Sequence, residues 1–204
     1  MSVYGVYTGL YMSRVYCGEV RYKTTHKEAR TMAWNIDTAH LEVTFSVSHM
    51  MISNVRGQFK KFSGNINIDE ANPANSSVDV TIDVASIDTR DEKRDGHLTS
   101  PELFDAATHP TITFKSTRIA VGGTNLGTIF GDLTIKGITR QVALDVTFSG
   151  KAKSPWGTTS AGFSATTKIN RTDYDLTWNV ALETGGILVG EEIAINIELE
   201  AVQS

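Results

Sequence analysis

From Leu41 to Ser48 apolar and polar residues alternate strictly, with Leu41, Val43, Phe45 and Val47 on one side and Glu42, Thr44, Ser46 and Ser48 on the other. A side-chain period of two is that of a β-strand with one dry and one wet face. The period returns at Val78, Val80, Ile82 and Val84, and at Val142, Leu144, Val146 and Phe148. It returns again at Ala161, Phe163, Ala165, Thr167 and Ile169, and at Ile193, Ile195, Ile197 and Leu199. Two segments change phase. Val55, Gly57 and Phe59 give way to Phe62, Gly64, Ile66 and Ile68, which predicts a bulge near Lys60. Leu126, Thr128 and Phe130 give way to Leu133 and Ile135, which predicts a bend at Gly131.

Turn residues punctuate these segments at Asn72-Pro73, Gly122-Gly123, Gly150 to Pro155 and Gly185-Gly186. The pattern predicts roughly eight to ten antiparallel strands in a meander, an all-β barrel or sandwich. Only residues 90–107, which open with the charged run Arg90-Asp91-Glu92-Lys93-Arg94-Asp95, and the stretch from His49 to Asn54 leave the strand period. Mixed charges of that kind suit a solvated helix face. In a closed barrel of about eight strands, the dry faces are either packed core or the wall of a pocket. Small or polar inward positions at Gly57, Gly64, Ala161, Ala165 and Thr167 leave volume between facing strands.

Composition divides the chain near Met32. Of 204 residues, the first 31 hold five of the six tyrosines, the single cysteine Cys17, and five Lys or Arg against two Asp or Glu. The remainder carries 14 against 21. Residues 1–31 therefore read as an extension, either a disordered tail or an upstream in-frame translation artefact, and residues 32–204 as one barrel domain. The extension lacks the early positive charge and unbroken apolar stretch of a secretory signal. A cytoplasmic location is expected, with a periplasmic or secreted one as the alternative if this region is misassigned. A net charge of -4 and the absence of a basic stripe argue against nucleic acid. No segment has the roughly 20 apolar residues of a membrane-spanning helix. Without a cysteine pair, stability has to come from the core.

Several blocks in order resemble the YceI-like, polyisoprenoid-binding family. They are Asp37-Thr38-Ala39-His40 with Phe45-x-Val47-x-His49 and Arg56-Gly57-x-Phe59; Ser86-Ile87-Asp88-Thr89; and Arg94-Asp95-x-His97-Leu98-x-Ser100. Phe104-Asp105, His109-Pro110-x-Ile112-x-Phe114, the run from Gly131 to Thr139 and the run from Ile169 to Tyr174 complete the set. The likeness extends over about Ala33 to Val202. It implies a lipocalin-like antiparallel β-barrel of about eight strands with a short helical insert, which binds, carries or sequesters an elongated amphiphilic lipid without catalysis. A polyisoprenoid, an isoprenoid quinone or a similar amphiphile is the implied partner. Neither a cofactor nor a metal is expected, and the oligomeric state is open between monomer and homodimer.

For such a ligand the expected wall is Phe45, Val47, Phe59, Val80, Ile82, Phe114, Phe130, Phe148 and Phe163, with Met50 and Ile52 as a flap over one end. Any one of these residues could instead be closed core. Arg56 and Arg171 are the candidates for a phosphorylated head, because a guanidinium offers a planar fork of donors, and His49 is a further head-group contact. Arg171 has a competing structural reading as an ion pair at a strand end. His40, His49, His97 and His109 lack the spacing that sets two metal ligands on one face. Gly162 to Thr166 lacks the closing glycine of a nucleophile elbow. An alternative reading is a lipid-modifying enzyme whose acid/base group is Asp95 and His97, with Ser86 or Ser100, if the fold gathers them. A stress-response scaffold with a filled barrel is a third.

Overall fold

The computed structural model describes residues 34–183 and 185–203, so the expectation for residues 1–31 lies outside the described residues. Ten strands follow in chain order: β1 (Trp34–His49), β2 (Ser53–Phe59), β3 (Phe62–Asn67), β4 (Ser77–Asp83), β5 (Ile87–Asp88), β6 (Thr111–Val121), β7 (Leu126–Ile135), β8 (Ile138–Lys153), β9 (Thr159–Asn170) and β10 (Val189–Gln203). A single α-helix among the described residues, α1 (Glu92–Thr99), stands between β5 and β6. Each strand pairs antiparallel with its neighbours, and β10 returns to pair with β1 from Trp34↔Gln203 to His49↔Val189. Because β2 with β3, and β4 with β5, are halves of single kinked strands, the result is a closed barrel of eight staves.

The two kinks are one structure. Between β2 and β3 the backbone N–H groups of Lys60 and Lys61 donate to Ser86 Oγ at 3.2 and 3.0 Å, where the opposite stave makes its own 3-10 turn at Val84–Ser86. Ser86 Oγ in turn donates to the Asp83 carbonyl at 2.6 Å. The change of phase near Lys60 is therefore present, held by a serine of the neighbouring stave.

The second expected slip is corrected. β7 pairs with β8 without interruption from Leu126↔Thr147 to Ile135↔Ile138. The extra residue belongs instead to β6, between Ser116 and Arg118. The inward row of β7 is thus Gly127, Ile129, Gly131, Leu133 and Ile135, and a Cβ on Gly131 would collide with the Phe114 ring. Likewise Gly150 lies within β8 at a register shift, with φ of +116°, rather than opening a turn. The reversal comes later, where Ser154 N–H donates to the Thr158 carbonyl at 2.8 Å.

In this meander the β1–β2 turn, α1, the β7–β8 turn and the β9–β10 connection share one end of the barrel. The connections β3–β4, β6–β7 and β8–β9 share the other. Each end has its own core cluster: Val84, Leu103, Ile112, Leu133, Ile135, Tyr174 and Leu176 at the α1 end, and Trp34, Ala161 and Ala201 at the opposite end. Between the two clusters the inward side chains are mostly only half-buried.

Candidate functional site

Those half-buried rows enclose a cavity of about 950 Å³, near the upper end of the ~300–1,000 Å³ usual for small-molecule sites. Its middle is apolar, formed by Val43, Phe45 and Val47 of β1, Leu144 and Val146 of β8, and Ile193, Ile195 and Ile197 of β10. The lining extends from α1 at one end to the β3–β4 connection at the other. On the inward row of β9, Ala165 and Thr167 are small and leave room between Phe163 and Ile169.

Polar groups collect at the two ends. The α1 end contributes Thr89, Lys93, Arg94, His97, His49 and Arg171; the other contributes Asn67, Asp69, Glu70 and Lys151. Lys151 Nζ bridges to Glu70 at 2.6 Å and faces the Trp34 ring at 5.4 Å.

A set of fixed hydrogen bonds ties down the α1 end. Asp91 caps α1 by accepting from the N–H groups of Lys93 and Arg94 at 3.1 and 3.2 Å. Asp95 accepts from Thr89 N–H at 2.9 Å and from its hydroxyl at 2.5 Å, while Arg94 donates to Thr89 Oγ1 and to the Thr89 carbonyl, both at 2.7 Å. His97 Nε2 meets Glu102 at 2.9 Å, and its ring stands edge-on to Trp178 with centroids 4.5 Å apart. Asp95 and His97 therefore serve different partners, and Ser86 and Ser100 bond to backbone, with Ser100 Oγ on the His97 carbonyl at 2.8 Å. The fold does not gather them into an acid/base pair.

Arg171 is 5 % exposed and opens the 3-10 turn Arg171–Tyr174 that follows β9. Its guanidinium donates to the carbonyls of Gly190 at 2.8 Å, Trp178 at 3.0 Å and Val189 at 3.3 Å, and to that of Leu176. The expected ion pair at a strand end is replaced by a clamp of carbonyls that closes the β9–β10 connection. Burial lowers its pKa from the usual arginine value, with Glu191 opposing the shift. Beside it, burial pushes the Tyr174 phenol up to about 12, with the Asp173 carboxylate adding to the effect. At the kink, Lys60 and then the Arg90 N–H hold the Asp88 carboxyl down at about 2.

Of the expected site residues, Phe45, Val47, His49, Phe59, Val80, Ile82, Phe114, Phe148, Phe163 and Arg171 stand in the cavity lining. Four do not. Phe130 lies on the outer face of β7 with the Arg118 guanidinium 3.9 Å from its ring centre, a consequence of the bulge falling in β6. Arg56 is exposed on β2, opposite Ser46 on the outward row. Met50 and Ile52 are 41 % and 82 % exposed at the tip of the β1–β2 turn and form no flap over the interior. Sequence reasoning missed Ile129, whose row was hidden by the wrong phase in β7. It also missed Leu98, Leu103, Phe104 and Trp178, which reach the lining from α1 and the loops and follow no strand period.

The spacing test for metals overlooked one arrangement. Asp37 and His40, on the register shift of β1, meet Glu200 of β10 with ligand-capable atoms within 4.8 Å of one another. His40 Nδ1 is 2.9 Å from Asp37 Oδ2, and that hydrogen bond raises the imidazole pKa from its usual value. None of the three lines the cavity.

A family model described as YceI-like domain matches residues 34–201. The chain belongs to the YceI-like family. A UPF0312 protein of Vibrio parahaemolyticus is 37 % identical over 150 residues, covering 72 % of this chain and 79 % of that protein. The crystal structure of Burkholderia cenocepacia BcnA superposes with a TM-score of 0.72 at 31 % identity, covering 81 % of this chain and 99 % of that one. A polyisoprenoid binding domain from Saccharophagus degradans shares the fold, with a TM-score of 0.60 at 16 % identity over 85 % of this chain and 99 % of that one. The YceI-like barrel described above is thus a family architecture, and its cavity is the feature on which a function has to be argued.

Proposed function

We propose that this YceI-like barrel binds and carries one elongated amphiphilic lipid, a polyisoprenoid or an isoprenoid quinone, and leaves it chemically unchanged. The carrying observation is the apolar cavity of about 950 Å³ that runs between the two ends of the barrel. A flexible hydrocarbon chain that buries about 500 Å² there gains on the order of 10 kcal/mol before its ordering cost. The description of the Saccharophagus domain as polyisoprenoid binding supports the same class of ligand.

Charge along the cavity supports an orientation. Lys93, Arg94 and Arg171 face a single carboxylate, Asp91, in the lining of the α1 end, whereas Asp69 and Glu70 face Lys151 at the other. An electron-rich head belongs at the α1 end and the tail points toward Trp34. Mass spectrometry of an organic extract from the purified protein tests the reading. A stoichiometric isoprenoid species is expected; a protein that is always empty, and whose interior accepts bulky substitutions without consequence, would end it.

A further inference from the structure

Two loops at the α1 end make an apolar tip that the fold itself does not require. Met50 and Met51 sit at φ of +53° and +61°, in a turn closed by Ile52 N–H donating to the His49 carbonyl at 3.2 Å. Two consecutive left-handed residues define a turn that suits Asn-Gly and disfavours longer side chains. Met51 and Ile52 are 72 % and 82 % exposed, and Met50, Val180 and Ile187 are also exposed. Met50 N–H donates to the Leu188 carbonyl at 2.7 Å and so ties the two loops together, while Leu188 N–H donates to the Val180 carbonyl at 2.9 Å within the β9–β10 connection. Met51 lies over Gly186, where a Cβ would come within 2.8 Å of its Sδ. Between Leu176 and Gly190 the only charged residue is Glu183, and there is no Lys, Arg, Asp or Glu between His49 and Asn54.

This tip is continuous with the cavity. His49, next to Met50, and Leu188 and Val189, next to Ile187, all belong to the lining. We propose that the barrel docks on a lipid bilayer through Met50, Met51, Ile52, Val180 and Ile187, with the α1 end of its cavity turned toward the membrane. The proposal rests on the reading that the occupant is a lipid, since a water-insoluble chain exchanges fastest where apolar surface adjoins both its source and its destination. Convex hairpin tips with flexible methionines fit a deformable acyl layer, which needs no matching pocket. α1 packs on the same β9–β10 connection through His97 and Trp178, and Lys93, one turn before His97, suits the phosphate groups of that surface.

Flotation of the full chain with phosphatidylcholine vesicles, with and without phosphatidylglycerol, tests it. The double variant Met51→Asp, Ile52→Asp is the main probe; Asp accepts a left-handed backbone more readily than Met, so the turn survives. Trp156→Asp is the control, because Trp156 is 89 % exposed on the β8–β9 turn at the opposite end. Wild type and the Trp156 variant are expected to float, and the double variant to lose vesicle binding by about tenfold or more. Loading with a polyprenol delivered from detergent, read by native mass spectrometry, is expected to be equal in all three. Wild type that stays soluble, a double variant that floats as well as wild type, or loss of flotation only in the Trp156 variant would each overturn the docking surface. A double variant that merely abolishes self-association would assign the tip to a second copy of the chain and overturn it equally. Failure of every form to take up polyprenol, with flotation intact, would remove the lipid-carrier reading and leave the docking surface standing.

Discussion

The α1 end and the middle of the barrel are made from the same alternating strands and line the same cavity, yet the first is closely packed and the second largely open. At the α1 end Tyr174 is 1 % exposed and Val84 1 %, with Leu103 and Leu176 from loops pressed onto Ile112, Leu133 and Ile135. In the middle, Ile195 and Ile197 are just as apolar but have only Thr167 and Ala165 beside them on β9 and open space in front. The difference lies in the non-strand segments. Where the β5–β6 and β9–β10 connections fold inward, the alternating rows are buried behind a closed end of the cavity; where nothing folds inward, they remain half-buried wall.

Truncation at the packed end is the strongest way to break this contrast. Arg171→Met strands four carbonyls and Tyr174→Ala leaves a void, and each is expected to cost about 3–5 kcal/mol in urea unfolding. Ile195→Ala in the wall is expected to cost only about 1–2 kcal/mol, because Ile195 is only half-buried and borders the open cavity. Equal costs at the two places would erase the distinction. The reverse change sharpens it: Ala165→Trp is expected to lower isoprenoid occupancy in extracts by about tenfold or more while moving stability by less than about 1 kcal/mol. A filled, molten or unfolded variant at this position would show that the middle has no room to spare.

Smaller effects come from the polar fastening of the packed end. Asp95→Ala removes the acceptor for the N–H and hydroxyl of Thr89 and is expected to cost about 1–2 kcal/mol. Faster amide exchange confined to α1 and Thr89 would locate the loss. The mildest test is pH. The Asp88 carboxyl sits at about 2 in the folded chain against an ordinary 3.8, so the ionised form is the one that folding favours. Its contribution is complete above about 3.8 and disappears as the pH falls through 2. Lys60→Met removes the main cause of the shift, so acid-unfolding curves of variant and wild type are expected to differ near neutrality and converge by pH 2.

The strand rows were legible because a period of two survives any tertiary arrangement: the inward sets of β1, β4, β8, β9 and β10 are those of the sequence pattern. The kink at Lys60 was legible too, since an apolar row visibly changes phase there. In β7 both rows carry apolar residues, Leu126 and Phe130 against Ile129 and Leu133, so phase alone could not tell which strand of the pair held the extra residue. That ambiguity put Phe130 on the wrong face. Arg171 was singled out by residue type, but its partners are backbone carbonyls of a loop up to nineteen positions away, which no side-chain pattern encodes.

By itself, the strand pattern determined an all-β fold and most of the side chains that face its interior, because strand parity is a local property of the backbone, while the closed barrel followed from the resemblance to the YceI-like family. Only the tertiary structure decided which of those side chains are core and which are wall. That depends on whether a loop distant in sequence comes in to occupy the space in front of them. The exposed methionine tip was decided the same way: the turn places it, but only the neighbouring β9–β10 loop makes it continuous with the cavity.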